Sequence, residues 1–400
     1  MKEWLQILGH SDTTVNSLNV IHVSGTKGKG STCAFTRSLL RAHSVRTGFP
    51  KRIGLYTGPH LQSVRERIQI DDHPVPEDVF TRYFFEVWDR IMPNNVELDS
   101  KAARQPRYLQ FLALLAFHTF IREEVDAAIF EVHHGGEYDA TNVIQNPVVT
   151  GITSLGMDHI AQLGPTIDTI AWHKAGIFKS GAPAFSVAQE PGPAEVMRKR
   201  AADIDTTLTF VSVNECLPTD GRVLSVPVQR LNCSLALELT NAFLHAKAPG
   251  HTLSDADICH GVDSFQLTGR FEIIEEGQLQ WFVDGAHNVL SLEQTAEWFA
   301  TNASRDQIGR SSALVFSQLS EERDGTALLR SLAHALFRKK VKPGHVIFTT
   351  YQEKEDDPTE SSAACQGTRG PRKWNASAYY GELIHGWGDT RIFAAIITAA

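Results

Sequence analysis

Apolar residues recur along the first half of the chain in two alternating styles. Short β-prone runs rich in Val, Ile and Phe cover residues 19–24, 52–57, 125–132 and 147–154. Between them lie segments with apolar positions at helical spacing: 33–40 (Phe35, Leu39, Leu40), 77–92 (Val79, Tyr83, Val87, Ile91), the strongly apolar 111–124, and 166–178. A near-2 period marks strands and a 3.6 period marks helices. Residues 1–18 predict one short helix, with Trp4, Leu5 and Leu8 on one face, and then a polar turn. Residues 63–72 read as a strand whose charged face carries Arg65, Glu66 and Arg67, residues that could alternatively place carboxylates of a bound molecule. Strands alternating with helices predict a parallel α/β sheet.

The second half repeats the style on a smaller scale. Residues 181–213 read as strand, helix, strand; 218–228 as a turn-rich bridge; 231–244 as a helix; 265–269 as a hinge. A hairpin over 271–283 turns at Glu276 and Gly277, followed by a helix over 292–300, a strand over 312–316, a helix over 327–337 and a strand over 346–349. Beyond Tyr351 the periodicity fades, and residues 353–374 are polar and poor in aliphatics, the composition of a loosely held stretch. The expected division is 1–266, a central α/β domain; 267–350, a shortened C-terminal α/β domain; and 351–400, an atypical, partly disordered tail. No internal repeat is found.

The polar residues concentrate just past the expected strand ends: Gly25–Ser31, Gly58 to His60, Glu131 to Gly136, and Asp158 with His159. Ligands bind outside the carboxyl ends of strands in such sheets. The loop Gly25, Thr26, Lys27, Gly28, Lys29, Gly30, Ser31, Thr32 stands between a strand and a helix, the setting of a phosphate-binding loop. Bare N–H groups and a helix N-terminus favour an anion there. Lys29 adds a mobile positive charge, and Ser31 or Thr32 can offer oxygen to magnesium. A tight strand-to-helix turn beside solvated lysines is the blander alternative. The fold class expected is therefore α/β, a P-loop mononucleotide-binding domain with a parallel sheet plus a smaller, Rossmann-like α/β domain.

Composition narrows the class. The chain has 400 residues, 42% hydrophobic and 21% charged, with net charge −8. A chain of this charge has no bulk attraction to nucleic acid or to an anionic membrane. The cysteines, Cys33, Cys216, Cys233, Cys259 and Cys365, lack paired spacing and read as reduced thiols, Cys33 as a small buried hydrophobe. No apolar run approaches the roughly 20 residues of a membrane span. A cytoplasmic protein with no nucleic-acid partner is expected; no transit peptide is seen.

Several motifs together resemble the folylpolyglutamate synthase family of the Mur ligase superfamily, with wording nearest its fungal members. They run from Ile21 to Thr32, Gly54 to His60, Arg65 to Ile68, Gly135 to Asn142, Ser154 to His159, Ile170 to Ile177 and Asp284 to Asn288. The resemblance implies ATP-dependent addition of L-glutamate to the γ-carboxylate of a folate through an acyl phosphate, with magnesium and room for a monovalent cation. It implies that Gly25, Thr26, Gly28, Lys29, Gly30 and Ser31 hold phosphate, and that Glu131 and His159 are metal ligands. Glu131 also ends an apolar strand, where an unpaired carboxylate is costly. The resemblance further implies a carbamylated Lys174 near the metal, Asn232 near the adenine, and Arg270, Asp284 and His287 reaching the nucleotide from the second domain. Lys29, Lys174 and His287 are the expected catalytic residues. Asp158 either orients the His159 ring or caps a turn, and Asn142 is a further loop candidate.

The chain departs from the family pattern at particular places. Gly58 stands where the family has a metal-binding serine, His133 and His134 where it has Gly and a small or aliphatic residue, Val228 where it has His, and Leu267 and Thr268 where it has Trp-Pro. His133 or His134 is expected to remodel the metal or acceptor pocket. Two other readings stay open: a paralogue that joins an amino acid to a non-folate carboxylic acid, and a nucleotide-binding protein with weakened catalysis.

Overall fold

The computed structural model describes all residues except 93–104, 220, 277–278, 305–310, 318–324, 344, 349–389 and 397–400. Two compact units result: one of residues 1–60, 64–219 and 227–266, the other of 61–63, 220–226 and 267–400.

In the first unit, α1 (Lys2–Ile7) and α2 (Asp12–Asn16) precede β1 (Val20–Ser24). There follow α3 (Lys29–Thr47), β2 (Ile53–Tyr56), β3 (Ile68–Ile70), β4 (His73–Pro74), α4 (Glu77–Ile91), α5 (Tyr108–Arg122) and β5 (Ala127–Glu131). β6 (Val149–Ile152), α6 (Ile160–Leu163), α7 (Ile167–Lys174), β7 (Ala184–Val187), α8 (Pro191–Asp203), β8 (Leu208–Val211), α9 (Pro227–Lys247) and α10 (Asp255–Asp263) complete it. The strands form an eight-stranded sheet in the order β4-β3-β2-β5-β1-β6-β7-β8. The six strands from β2 to β8 in that order run parallel, and β3 and β4 add antiparallel at the edge. β1 lies between β5 and β6, and the strands beyond these neighbours lead away in opposite directions. Such a switch point opens a crevice at the C-terminal end of the central strand.

The period-2 alternation of the strands splits the core into layers. Val20, Ala128 and Phe130 face one side, with Phe117 and Phe120 of α5, Tyr83 and Val87 of α4, and Leu5, Leu8 and Val15. Ile21, Val23, Ala127 and Ile129 face the other, with Cys33 and Leu40 of α3 and Leu235, Leu239 and Phe243 of α9. Phe117 stacks on Phe130 with ring centroids 4.4 Å apart. A buried aromatic of this kind contributes about 3–5 kcal/mol when compared with alanine.

Four sequence expectations need correction. The N-terminal segment is two short helices, because Gly9 at φ 86° breaks the first and Ser11 caps the second through Thr14 N. Residues 64–67 form a 3₁₀ helix, and only Ile68–Ile70 is strand. The apparent alternation there misreads one turn of helix, and Arg67 is buried, not part of a charged face. α3 starts at Lys29, four residues before the expected start, because the glycines hid its first turn. α10, capped by Ser254 and Asp257, was not anticipated.

The second unit holds β9 (Glu272–Glu276), β10 (Leu279–Asp284), α11 (Val289–Ser304), β11 (Ser311–Ser317), α12 (Gly325–Arg338), β12 (His345–Phe348) and β13 (Thr390–Ile396). Its sheet order is β12-β11-β13-β10-β9. β9 and β10 make the expected antiparallel hairpin, whose Gly277 lies outside the described residues. β13 runs parallel to β10 on one side and to β11 on the other. The tail thus supplies a central strand, which sequence reading missed because a lone apolar run carries no helix or turn signal beside it. The stretch 353–374, expected to be loose, lies outside the described residues. Phe282, Trp298 and Phe299 form the aromatic centre of this unit. No helix among the described residues is long and apolar enough to cross a membrane.

Candidate active site

Four loops leave the C-terminal ends of β1, β2, β5 and β6, and the candidate site is built from them. The loop after β1 is shaped by glycine. Gly25 adopts φ +144° and Gly28 φ +92°. A Cβ on Gly25 would stand 1.8 Å from Thr153 Oγ1, and one on Gly28 2.3 Å from Asn232 Oδ1. Both conformation and space therefore demand glycine at these two positions. The loop is strapped to the one after β6, since Thr26 N and Lys27 N donate to the Ser154 carbonyl at 2.9 and 3.2 Å. Ser24 Oγ, at the end of β1, donates to the Gly135 carbonyl at 2.6 Å and ties the β5 loop in as well.

Lys29, Gly30 and Ser31 form the first turn of α3, a 19-residue helix whose N-cap, Gly28, supplies no side-chain acceptor. N–H groups at such an end, with the helix dipole behind them, suit an anion. Lys174 closes the loop from behind. It ends α7, is 2% exposed, and its Nζ donates to the Gly25 carbonyl at 2.8 Å. Burial, reinforced by Lys29, holds its pKa well below the usual lysine value. Asn232, on α9, lies directly under Gly28; its Nδ2 donates to Gln229 Oε1 at 3.1 Å, and its buried Oδ1 has no partner.

Glu131 ends β5 and is 6% exposed. Its Oε2 accepts from Thr57 Oγ1 and, at 3.3 Å, from Gly58 N. His159 is exposed, sits at φ 50°, and its ring centroid is 5.3 Å from that of His134. Both residues are exposed overall, yet partial desolvation of the rings is the first cause that lowers the pKa of both imidazoles, and Lys29 and Lys174 add to it. Asp158 accepts from His159 N at 3.1 Å and lies 3.5 Å from Lys27 Nζ. Among the described residues, no three His, Cys, Asp or Glu side chains converge as a ready-made metal nest. Glu131 offers the carboxylate oxygen that a hard divalent cation takes, and the Thr57 hydroxyl that meets it is a second oxygen at the same place.

The two histidines after β5 take different places. His133 is held inside, its Nε2 2.6 Å from Tyr56 OH and its Nδ1 3.3 Å from Asp139 Oδ2. Asp139 also accepts from His133 N, His134 N, Thr141 N and Thr141 Oγ1. Burial pushes its pKa up, but the His133 imidazole first and Thr141 after it hold its carboxyl below the usual carboxylate range. Thr141 Oγ1 in turn meets His22 Nε2 at 2.9 Å. A polar chain thus runs from the sheet interior to the loop. Sequence reasoning missed Asp139 and Thr57. An Asp two residues before a Thr, on a loop after a strand, was the available signal for the first. Asn142, a loop candidate, donates to the Glu137 and Gly176 carbonyls and clasps the turn.

Arg270, Asp284 and His287 lie in the second unit and are brought together there. Asp284 is fully enclosed; it accepts from Phe271 N at 2.9 Å and Thr295 Oγ1 at 2.8 Å. Burial raises its pKa against the pull of Arg270. Arg270 lies across Gly285, where a Cβ would stand 1.7 Å from its Nη1. His287 Nδ1 lies 2.9 Å from the Gly285 carbonyl.

No protein-family model matches the chain. Curated relatives do. Folylpolyglutamate synthase of Neurospora crassa is 40% identical over 360 residues, a match covering 88% of this chain and 68% of that protein. The probable folylpolyglutamate synthase of Schizosaccharomyces pombe is 44% identical over 357 residues, covering 88% and 70%. Among solved structures, the apo form of the L. casei enzyme superposes with TM-score 0.71 at 23% identity, covering 99% of this chain and 90% of that one. The Mycobacterium tuberculosis folylpolyglutamate synthase complexed with ADP gives TM-score 0.71 at 24% identity, covering 98% and 90%. These structures share the fold, and the fungal sequences, over so much of both chains, share far more than the fold: the chain belongs to the folylpolyglutamate synthase family.

Proposed function

We propose that the protein is an ATP-dependent ligase that adds L-glutamate to the γ-carboxylate of tetrahydrofolate or its polyglutamates. The observation that carries this reading is the strapped glycine loop at the switch point, with Lys29 in the first turn of α3 and a buried Lys174 behind it. That is a seat for a polyphosphate, in a chain 40% and 44% identical to fungal enzymes of that name. The solved relatives include complexes with AMPPCP and folate and with ADP.

Phosphoryl transfer needs alignment and charge neutralisation more than covalent help. The carboxylate oxygen of the acceptor takes the γ-phosphoryl group of ATP and releases ADP. The glutamate amine then attacks the acyl carbon, forms the amide bond and expels phosphate. Gly25, Thr26, Gly28, Gly30 and Ser31 would cradle the phosphates through the loop and helix N–H groups, and Lys29 would meet the charge that develops on them. Glu131 and His159 would hold magnesium, which when bound screens the phosphate oxygens. A pKa lowered by burial favours the neutral amine that carbamylation of Lys174 requires. Asn232 would lie by the base, Arg270 would neutralise phosphate, and Asp284 would fix the turn that carries His287. The same reading includes a monomer in the cytoplasm working on small molecules without nucleic acid, and it leaves a monovalent cation as an activator to be titrated.

Purified protein given magnesium, ATP, L-glutamate and tetrahydrofolate should release ADP and give a folate heavier by one glutamyl residue. ADP release that needs another carboxylic acid would instead support the non-folate paralogue. Nucleotide binding without turnover on any acid would support the weakened protein. His134, exposed and next to His159, is the departure that favours testing other acceptors.

A further inference from the structure

The loop after β2 holds a cation that the reading above does not use. Arg67 is 8% exposed, and its backbone carbonyl accepts from Thr57 N at 3.1 Å, which fixes it alongside that loop. Its Nε donates to His60 Nδ1 at 2.9 Å. Its Nη1 fills the space above Gly58, where a Cβ would stand only 2.4 Å away. Among the described residues no Asp or Glu forms an ion pair with it. The nearest site carboxylate, Glu131, is already engaged by Thr57 Oγ1 and Gly58 N. A guanidinium so nearly buried is costly without an anion. Its planar fork of donors matches a carboxylate, two bonds at a time. His60 receives the Nε proton on Nδ1, so its own proton sits on Nε2, a further donor at the same place. Burial, and then Arg67, keep that imidazole neutral by lowering its pKa.

We propose that Arg67, admitted by the missing side chain at Gly58 and braced by His60, binds a substrate carboxylate beside Glu131. The proposal rests on the ligase reading, in which both the acceptor and the incoming amino acid carry carboxylates. Gly58 is thereby more than a lost metal ligand. A side chain at position 58 would turn the guanidinium aside, so the absence of one is what lets Arg67 reach its place.

Steady-state kinetics of Arg67→Gln, Arg67→Lys and Gly58→Ala test this. In Arg67→Gln the KM for one carboxylate substrate, tetrahydrofolate or L-glutamate, should rise at least about tenfold, as loss of charge-assisted hydrogen bonds requires. KM for ATP should stay within about twofold. Arg67→Lys, which keeps the charge but not the fork, should fall between. Gly58→Ala should raise the same KM while leaving the arginine in the chain. The substrate whose KM moves is the one the clamp holds. Unchanged KM values for both, or a rise confined to ATP, would overturn the proposal. If Arg67→Gln does not fold, the Gly58→Ala result decides alone. If the unaltered protein shows no glutamate-dependent ADP release, the ligase reading fails first. Calorimetric titration with L-glutamate and with tetrahydrofolate, on the unaltered protein and Gly58→Ala, then decides the clamp. Binding weakened about tenfold or more by the substitution supports it, and equal or absent binding in both overturns it.

Discussion

Gly28 and Gly48 bracket α3 with similar backbone angles, φ +92° and φ +82°, yet different surroundings. An alanine at Gly48 meets nothing within 4 Å, whereas one at Gly28 meets Asn232 Oδ1. Gly48→Ala should therefore lose only the conformational part, about 1 kcal/mol. Gly28→Ala should lose about 2–3 kcal/mol and weaken nucleotide binding as well. Urea unfolding and a nucleotide titration of both variants would check the pair. An equal loss in the two would mean that the contact with Asn232 is slack. Lys174 yields the opposite kind of prediction. Burial disfavours a charge on its amine, so Lys174→Met gives up one hydrogen bond, to the Gly25 carbonyl, and should melt close to the parent. Turnover should nevertheless fall about 100-fold or more, because the amine behind the phosphate loop is gone. A melting curve beside an ADP-release assay separates the two effects. The phosphate loop was legible in the sequence because glycine and lysine after a strand have few structural uses. Thr57 was not, because its meaning depends on the Glu131 carboxylate it meets from another strand, and Arg67, which could place an acceptor carboxylate, read more readily as part of a charged strand face.

At the scale of elements, the segment from β5 to the turn at Thr141 hangs on one carboxylate. Oδ2 of Asp139 collects the backbone N–H groups of His133 and His134, and Oδ1 collects Thr141 through both backbone and hydroxyl. Asp139→Asn keeps the shape but turns an amide NH₂ toward one of these donor pairs. It should destabilise by about 2–4 kcal/mol, measured by urea unfolding, since buried donors would lose their acceptor. Because His134 stands on this segment beside His159, turnover should fall too, and hydrogen exchange should quicken at His133 and His134 before it does in β1. A loss under about 0.5 kcal/mol would show that the carboxylate is dispensable. α4 was readable because one apolar face of it meets a core layer, and α5 and the strands β1, β5 and β6 because they are largely apolar and buried on both sides. The 3₁₀ turn before β3 and the strand β13 were not. The first imitates alternation over too few residues, and the second takes its place from partners far away in sequence.

Across the whole molecule, the buried histidines set how the fold answers to acid. His22 lies inside β1, fully enclosed, with Nε2 on Thr141 and Nδ1 unpartnered. Burial, ahead of the opposing pull of Asp139, lowers its pKa to about 3. His10, paired with His118 Nδ1 at 2.8 Å, is lowered to about 4 by burial and then by His118. In the unfolded chain both take up protons near pH 6.5, whereas the folded chain leaves them neutral well below that. The unfolded state therefore binds more protons throughout this window, and stability falls as pH falls from about 6.5. For His22 alone the loss by pH 5 is about 2 kcal/mol. Asp139 works in a lower window. Its folded pKa is depressed, so the stability it contributes is present above the ordinary carboxylate range and is lost only as pH drops through that range and below. Unfolding free energy measured in urea should thus decline from about pH 6.5, before carboxylates titrate, and go on declining below pH 4, where Asp139 takes over as His10 becomes protonated in the folded chain. His22→Asn, which cannot take up a proton, should flatten the upper part of that decline by about one proton. A slope unchanged by His22→Asn would mean that the first unit opens around β1 before the unfolded chain is reached, and that other histidines, His10 among them, set the acid limit.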